Sequence, residues 1–201
     1  MDDGYIKFRS ERRDGAVTVS AMLHELNQTR TSLFDLSLIG VYANGVGYGN
    51  LSVRTNGSQF IVTASATGGI RTLGNEHYCL VEEFSADQNY VRSVGPLPAS
   101  SEAMTHGAIY AANPTVRCVI HVHCRQMFNY CLANGHLTTP ANIPYGTPSM
   151  AHAVSTLVVA QHALPVLFAM AGHDEGIVAY GADVASPHTL LLNELHRSKT
   201  P

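Results

Sequence analysis

The chain has 201 residues, of which 45% are hydrophobic and 13% charged, with a formal net charge of −3. That length suits one domain with a real core, so we expect residues 1–201 to form a single domain, and the sparse charge points to further surface buried in an oligomer. The charge balance excludes a basic nucleic-acid footprint, and the sequence has no apolar run of about 18 residues to span a membrane. No basic-then-apolar signal segment opens the chain, and its four cysteines include no C-x-x-C pair. Reduced thiols and a cytoplasmic address are the expectation.

Residues 1–14 are charged and aperiodic, which predicts a loose N-terminal arm. Val19, Met22, Leu23 and Leu26 recur at helical spacing and predict an amphipathic helix. Residues 33–39 continue apolar, as a further helical turn or a connector. A glycine-rich stretch over 45–50 reads as turn, and the alternation at 51–54 reads as a strand. Asn56-Gly57 is a hairpin signal, with 59–63 as the returning strand. Residues 64–69 form a small-residue loop, and 78–84 predict a third strand. Ser100 and Ser101 open a helix that runs to about Ala112, where Asn113-Pro114 stops it. Residues 116–122 have the pattern of a buried strand. Residues 125–133 and 150–162 read as helices, and 164–170 and 176–180 as strands. Ser186 followed by Pro187 reads as a cap with proline at the first helical position, starting the last helix. Strands and helices alternate without a strict βαβ rhythm. That predicts an α/β fold, with a mostly antiparallel or mixed sheet covered by helices on both sides.

Eleven histidines direct attention to imidazole chemistry. His121-Val122-His123 ends the 116–122 strand, and residues two apart on a strand share a face, so the two rings lie side by side. Histidines of this kind also occur as hydrogen-bonded core residues, but strand ends are where sites open in α/β folds. His173 sits in a glycine-flanked turn between two apolar runs, a second strand end. Three converging imidazoles with one open position form a ligand set of catalytic zinc. Glu102 falls in the first turn of its helix. There it either favours the helix dipole by about 0.3–1 kcal/mol or acts as a general base beside the metal. Asp174 and Glu175 read as solvated turn residues, and Cys124 as a buried, inert thiol.

Gly49-Asn50-Leu51-Ser52, the loop over 63–69 and Ser100-Ser101 are rich in small polar donors. Together they can cradle a phosphate, since N–H groups at a helix start bind anions. Plain turn and cap chemistry would also account for each segment alone. The glycine run at 45–49 imitates a dinucleotide fingerprint, but a strand pattern follows it rather than a helix. No Gly-x-Ser-x-Gly elbow is present.

Gly49-Asn50-Leu51-Ser52-Val53-Arg54, then Ser100-Ser101-Glu102, then His121-Val122-His123 resemble the class II aldolase/adducin family over residues 17–195. The resemblance implies a three-layer α/β/α fold around a mainly antiparallel sheet. It also implies a homotetramer with interfacial active sites. It identifies His121, His123 and His173 as Zn2+ ligands and Glu102 as the catalytic carboxylate. It assigns Asn50, Thr67, Gly68, Ser100 and Ser101 as phosphate contacts, with Ser65 as the alternative in its loop. The implied activity is a metal-dependent carbon–carbon lyase, an aldolase acting on a small ketose phosphate through a zinc-stabilised enediolate. A sugar-acid phosphate decarboxylase, a dehydratase or an epimerase would use the same site. A non-catalytic adducin-like binding module is the reading of another class, and the retained histidines argue against it. Epimerases of the family commonly carry aspartate where this chain has Glu102. Other departures are Ala66 where the family usually has glycine, and Asp174 where glycine often follows the third histidine. No tyrosine follows Tyr180 in the sequence, so Tyr145 stands as the candidate interfacial proton donor.

Overall fold

In a computed structural model of the chain, which describes residues 5–17 and 21–200, strand β1 (Arg9–Arg13) precedes helix α1 (Ala21–Asp35). A short hairpin of β2 (Gly40–Val41) and β3 (Gly47–Tyr48) leads into β4 (Asn50–Arg54) and β5 (Phe60–Thr63). Next come β6 (Tyr78–Ser85), β7 (Tyr90–Val94), α2 (Ala103–Ala112) and β8 (Cys118–His123). Helices α3 (Arg125–Ala133) and α4 (Pro148–Val159), strands β9 (Val166–Ala169) and β10 (Gly176–Gly181), and helix α5 (Ala185–Lys199) complete the chain.

Eight strands form one sheet in the order β1-β7-β6-β5-β4-β8-β10-β9. Every neighbouring pair is antiparallel except β1 with β7. The predicted mainly antiparallel sheet is present, and strict alternation divides its side chains between two cores. Cys118, Ile120 and Val122 of β8 pack with Leu26, Leu33, Phe128 and Leu191 from α1, α3 and α5. Val119 of the same strand packs with Met104, Ile109, Met150 and Val154 from α2 and α4. This is the three-layer α/β/α arrangement that the resemblance implies. His121 and His123 share the parity of Val119, so they emerge on the α2 side of the sheet.

Several expectations need correction. The N-terminal arm is not loose over its whole length. Residues 9–13 pair in parallel with Tyr90–Val94, and Phe8 is buried in the core on the α2 side. Arg13 adds a bidentate contact to Glu82, at 3.0 and 2.8 Å. Charged side chains suit an edge strand, so charge without apolar periodicity did not exclude pairing. Strand β7 was not predicted, although Tyr90-Val91-Arg92-Ser93-Val94 does alternate after a turn. The predicted amphipathic helix is described from Ala21 onward, and Val19 itself lies outside the described residues. Helix α2 begins at Ala103, so Ser100 and Ser101 form the turn before it rather than its first residues.

The last helix also departs from its predicted start. Ser186 lies inside α5, and its backbone N–H donates to Asp183 Oδ1 at 2.7 Å. Asp183 therefore satisfies one of the unpaired N–H groups at that terminus. Hydrogen bonds from Ser186 hold the Asp183 carboxyl below its ordinary value of 3.8. Asp183→Ala should cost about 0.5–2 kcal/mol of stability at neutral pH, measured by urea denaturation. Because the folded-state pKa is depressed, the wild-type advantage is fully present above the ordinary carboxyl range and disappears as pH falls below it.

Candidate metal centre and its neighbouring cavity

Pairing places the metal-site candidates before any side chain is considered. His121 lies opposite Asn50 of β4 and Val178 of β10, and His123 lies opposite Gly176. Gly49 makes the entry to β4 practicable. Its φ is +79°, and a Cβ there would stand 2.7 Å from Ile39. Only glycine meets both demands without strain.

His121, His123 and His173 are all buried, and their candidate ligand atoms lie within 4.8 Å of one another. The Nε2 atoms of His121 and His123 are 3.0 Å apart. His121 Nδ1 lies 3.1 Å from the Ile177 carbonyl, which can only accept, so Nδ1 carries the proton. His123 Nδ1 lies 2.8 Å from the Tyr42 hydroxyl, which donates to Glu175 Oε2 at 2.7 Å. Tyr42 therefore accepts from His123 Nδ1. Both outer nitrogens are thus proton donors, and in neutral rings both Nε2 lone pairs point inward at each other. Such a contact is repulsive unless a cation lies between the nitrogens. Zinc–nitrogen bonds of about 2.0–2.1 Å in a tetrahedron would set such nitrogens roughly 3.3 Å apart, close to the spacing seen. Burial, then the neighbouring His123, His173 and His106, hold His121 well below the usual histidine pKa, so its metal-binding neutral form is favoured. The residues fit a divalent metal.

Glu102 is 2% exposed and sits at the N-terminus of α2, with Oε1 4.0 Å from His173 Nδ1. Thr105 Oγ1 donates to its other oxygen at 2.6 Å. The place of Glu102 at the start of α2 suits the helix dipole, and its burial adds a desolvation cost that a surface carboxylate would not carry. Tyr145, 5% exposed, stacks on His173 with ring centroids 4.2 Å apart and planes 19° from parallel. Lys7 Nζ stands 3.7 Å from the centroid of the Tyr145 ring.

Two cavities meet here. The smaller, about 20 Å³, is lined by the three histidines, Glu102, Asn50, Ser101 and Tyr48 among others. The larger, about 210 Å³, is lined by Asn50, Ser65, Ala66, Thr67, Gly68, Ser100 and Ser101 together with the β2–β3 hairpin and Tyr5. Gly47, Gly49, Asn50 and Ser101 border both. Every predicted phosphate contact, including the alternative Ser65, faces the larger cavity, whereas Tyr145 lines neither. Asn50 Oδ1 is buried without a hydrogen-bond partner, a cost to the free protein of the sort that a ligand removes. Gly68 must be glycine, since a Cβ would fall 2.3 Å from the Gly40 carbonyl oxygen. Ala66 is in the left-handed region at φ 62°, a conformation that costs a residue with a Cβ about 1–2 kcal/mol.

Sequence reasoning passed over four contributors. Glu175 is not a simple solvated turn residue: it accepts from Tyr42 and from Arg125 Nε at 2.9 Å, while Asp174 accepts from Arg125 Nη1 at 2.7 Å. Tyr42 carried no motif at all. His106 follows Glu102 by one helical turn. It is fully buried, lies 2.6 Å through Nδ1 from Ser52 Oγ, and is pushed down to about 3 by burial, so it is neutral. Arg30, on α1, donates to the carbonyls of the cavity loop. Its position in a helical pattern gave no hint of that reach. Cys124 is half-buried rather than buried, and no disulfide forms among the described cysteines.

Comparison with known proteins accords with this geometry. The family model described as "Class II Aldolase and Adducin N-terminal domain" matches residues 42–187. Among solved structures, L-fuculose-1-phosphate aldolase from Thermus thermophilus is 20% identical, with a TM-score of 0.57 over 90% of this chain and 97% of that one. A sugar-phosphate aldolase from Thermotoga maritima is 18% identical, with a TM-score of 0.58 over 90% and 97%. YgbL from Klebsiella pneumoniae, assigned provisionally as an aldolase, epimerase or decarboxylase, is 18% identical, with a TM-score of 0.64 over 88% and 86%. At these identities the likenesses establish the fold. No match was found among curated proteins.

Tyr42 orients His123 and ties it to Glu175, and such outer partners typically contribute 10–100-fold to metal affinity. Tyr42→Phe should weaken zinc binding by about that factor, measured by competition with a chromophoric chelator, with little change in the melting temperature of the zinc-free chain.

Proposed function

The chain belongs to the class II aldolase and adducin family, and from that premise we propose that it is a metal-dependent carbon–carbon lyase acting on a small ketose phosphate. One juxtaposition carries the reading: three inward-facing imidazoles beside a buried carboxylate, sharing a wall with a cavity of hydroxyl, amide and glycine groups.

The division of labour follows from the residues. The phosphate enters the larger cavity and is held by Asn50, Thr67, Gly68, Ser100 and Ser101, with Ser65 beside them. Its binding energy is spent on orienting the carbonyl end of the substrate towards the histidines. His121, His123 and His173 hold the metal. Zn2+ bound there supplies Lewis acidity for the negative charge that develops on substrate oxygens. Glu102 moves the proton. The Thr105 hydroxyl, which donates to its Oε2, fixes its orientation. Tyr145 is the proposed proton donor, held against the ligand His173 by stacking. We also propose a single-domain cytoplasmic protein that assembles as a homotetramer. No helix among the described residues is long and apolar enough to cross a membrane.

The test separates ligands from chemistry. His121→Ala should strip the metal, measured by elemental analysis of the purified chain; full zinc content would overturn the ligand assignment. Glu102→Gln should retain metal and lose turnover of phosphorylated ketoses in a coupled cleavage assay by at least about 100-fold, within the usual range for a general acid–base residue. Loss of metal in that variant would make Glu102 chiefly a ligand. Carbon dioxide release from a sugar-acid phosphate, without ketose cleavage, would identify a decarboxylase instead.

A further inference from the structure

The larger cavity presents a physical problem: apart from the Tyr5 phenol, its lining residues have no ionisable side chain. A phosphate dianion there would meet only dipoles. A source of positive charge lies behind the loop rather than in the cavity. Arg30 is 1% exposed and projects from α1. Its Nη2 donates to the carbonyls of Thr67 at 2.8 Å and Gly68 at 3.4 Å. Its Nη1 donates to those of Ile70 at 2.6 Å and Arg71 at 3.1 Å. No carboxylate forms an ion pair with this guanidinium among the described residues; its hydrogen bonds go to carbonyl oxygens, with the Phe34 ring 5.8 Å away. Burying a charge without a counter-charge is costly and needs a compensating role.

Geometry supplies that role. Thr67 and Gly68 line the cavity and Arg30 does not, so the loop backbone separates the two. In a planar trans peptide the C=O and the following N–H point in opposite directions. By drawing the Thr67 and Gly68 carbonyls towards itself, Arg30 turns the Gly68 and Gly69 N–H groups the other way. Neighbours on α1 reinforce the arrangement. Asn27 Nδ2 donates to the Leu73 carbonyl at 2.7 Å, and Asp35 receives Arg71 at 2.8 and 2.6 Å. We propose that Arg30 is the positioning residue of the anion cavity: it sets the loop's N–H groups and supplies, through the backbone, the positive charge that a phosphate monoester requires. This rests on reading the cavity as a phosphate site.

Calorimetry with inorganic phosphate, on the zinc-loaded wild-type chain and on Arg30→Lys and Arg30→Gln, tests it. Gln at position 30 should weaken phosphate by at least about tenfold, as expected for losing hydrogen bonds from a charged group. Lys, which keeps the charge, should recover part of the loss, and zinc content should be unchanged in both. Folded Gln and Lys variants that bind phosphate as the wild type does would overturn the role of Arg30 while leaving the cavity reading intact. A wild-type chain that binds no phosphate would overturn both. Hydrogen exchange on the unsubstituted chain reads the same coupling if the Gln variant does not fold. Phosphate should slow exchange in residues 67–71 and, with them, in the stretch of α1 around Arg30. Slowing confined to the histidine strand would overturn the proposal.

Discussion

Two lone pairs facing each other across 3.0 Å are the constraint around which the rest of the molecule is arranged. Neither imidazole can turn away. The Ile177 carbonyl holds one ring by its Nδ1, and the Tyr42 hydroxyl holds the other. The first hold comes from β10, which the sheet order brings alongside β8, the second from the β2–β3 hairpin, and the third ring arrives on the turn between β9 and β10. The site is preorganised for a cation, and the organising groups are mostly backbone and outer contacts.

The two cavities differ in polarity. The smaller is lined by the three histidines and Glu102, and burial with the neighbouring imidazoles holds His121 well below the usual histidine pKa. The larger is built from hydroxyls, amides and glycine backbone. Asn50 belongs to both, one strand away from His121 and directly opposite it. A ligand that spans them is fixed by dipoles at one end and presented to charge-stabilising groups at the other. The strained Ala66 lines the larger cavity, and the unpartnered Asn50 Oδ1 belongs to a residue that borders both. That is the pattern of a site shaped for a ligand rather than for the stability of the free chain.

Helix α1 and the N-terminal segment show how remote residues enter the site. Arg30, Asn27 and Asp35 suspend the cavity loop from one face of α1. The segment before β1 lays Lys7 over Tyr145, which covers His173. The cavity loop and the third imidazole are thus each supported from outside, by α1 and by the segment before β1.

Much was legible in the sequence because its signals are local. Strand alternation put His121 and His123 on one face, the Asn-Gly pair marked the β4–β5 hairpin, and glycine-flanked His173 announced a strand end. The quoted motifs together carried the family. What could not be read was contact between residues far apart in the chain. An edge strand of charged residues has no apolar period to betray it, so β1 looked like a free arm. Glu175 and Tyr42 are 133 positions apart, and they meet at His123 because β10 lies beside β8 while the β2–β3 hairpin brings in Tyr42. Sequence alone determined which side chains share a face, since that depends on backbone periodicity. Only the tertiary structure decided which faces meet, because sheet order and the buried reach of a residue such as Arg30 are set by packing between distant segments.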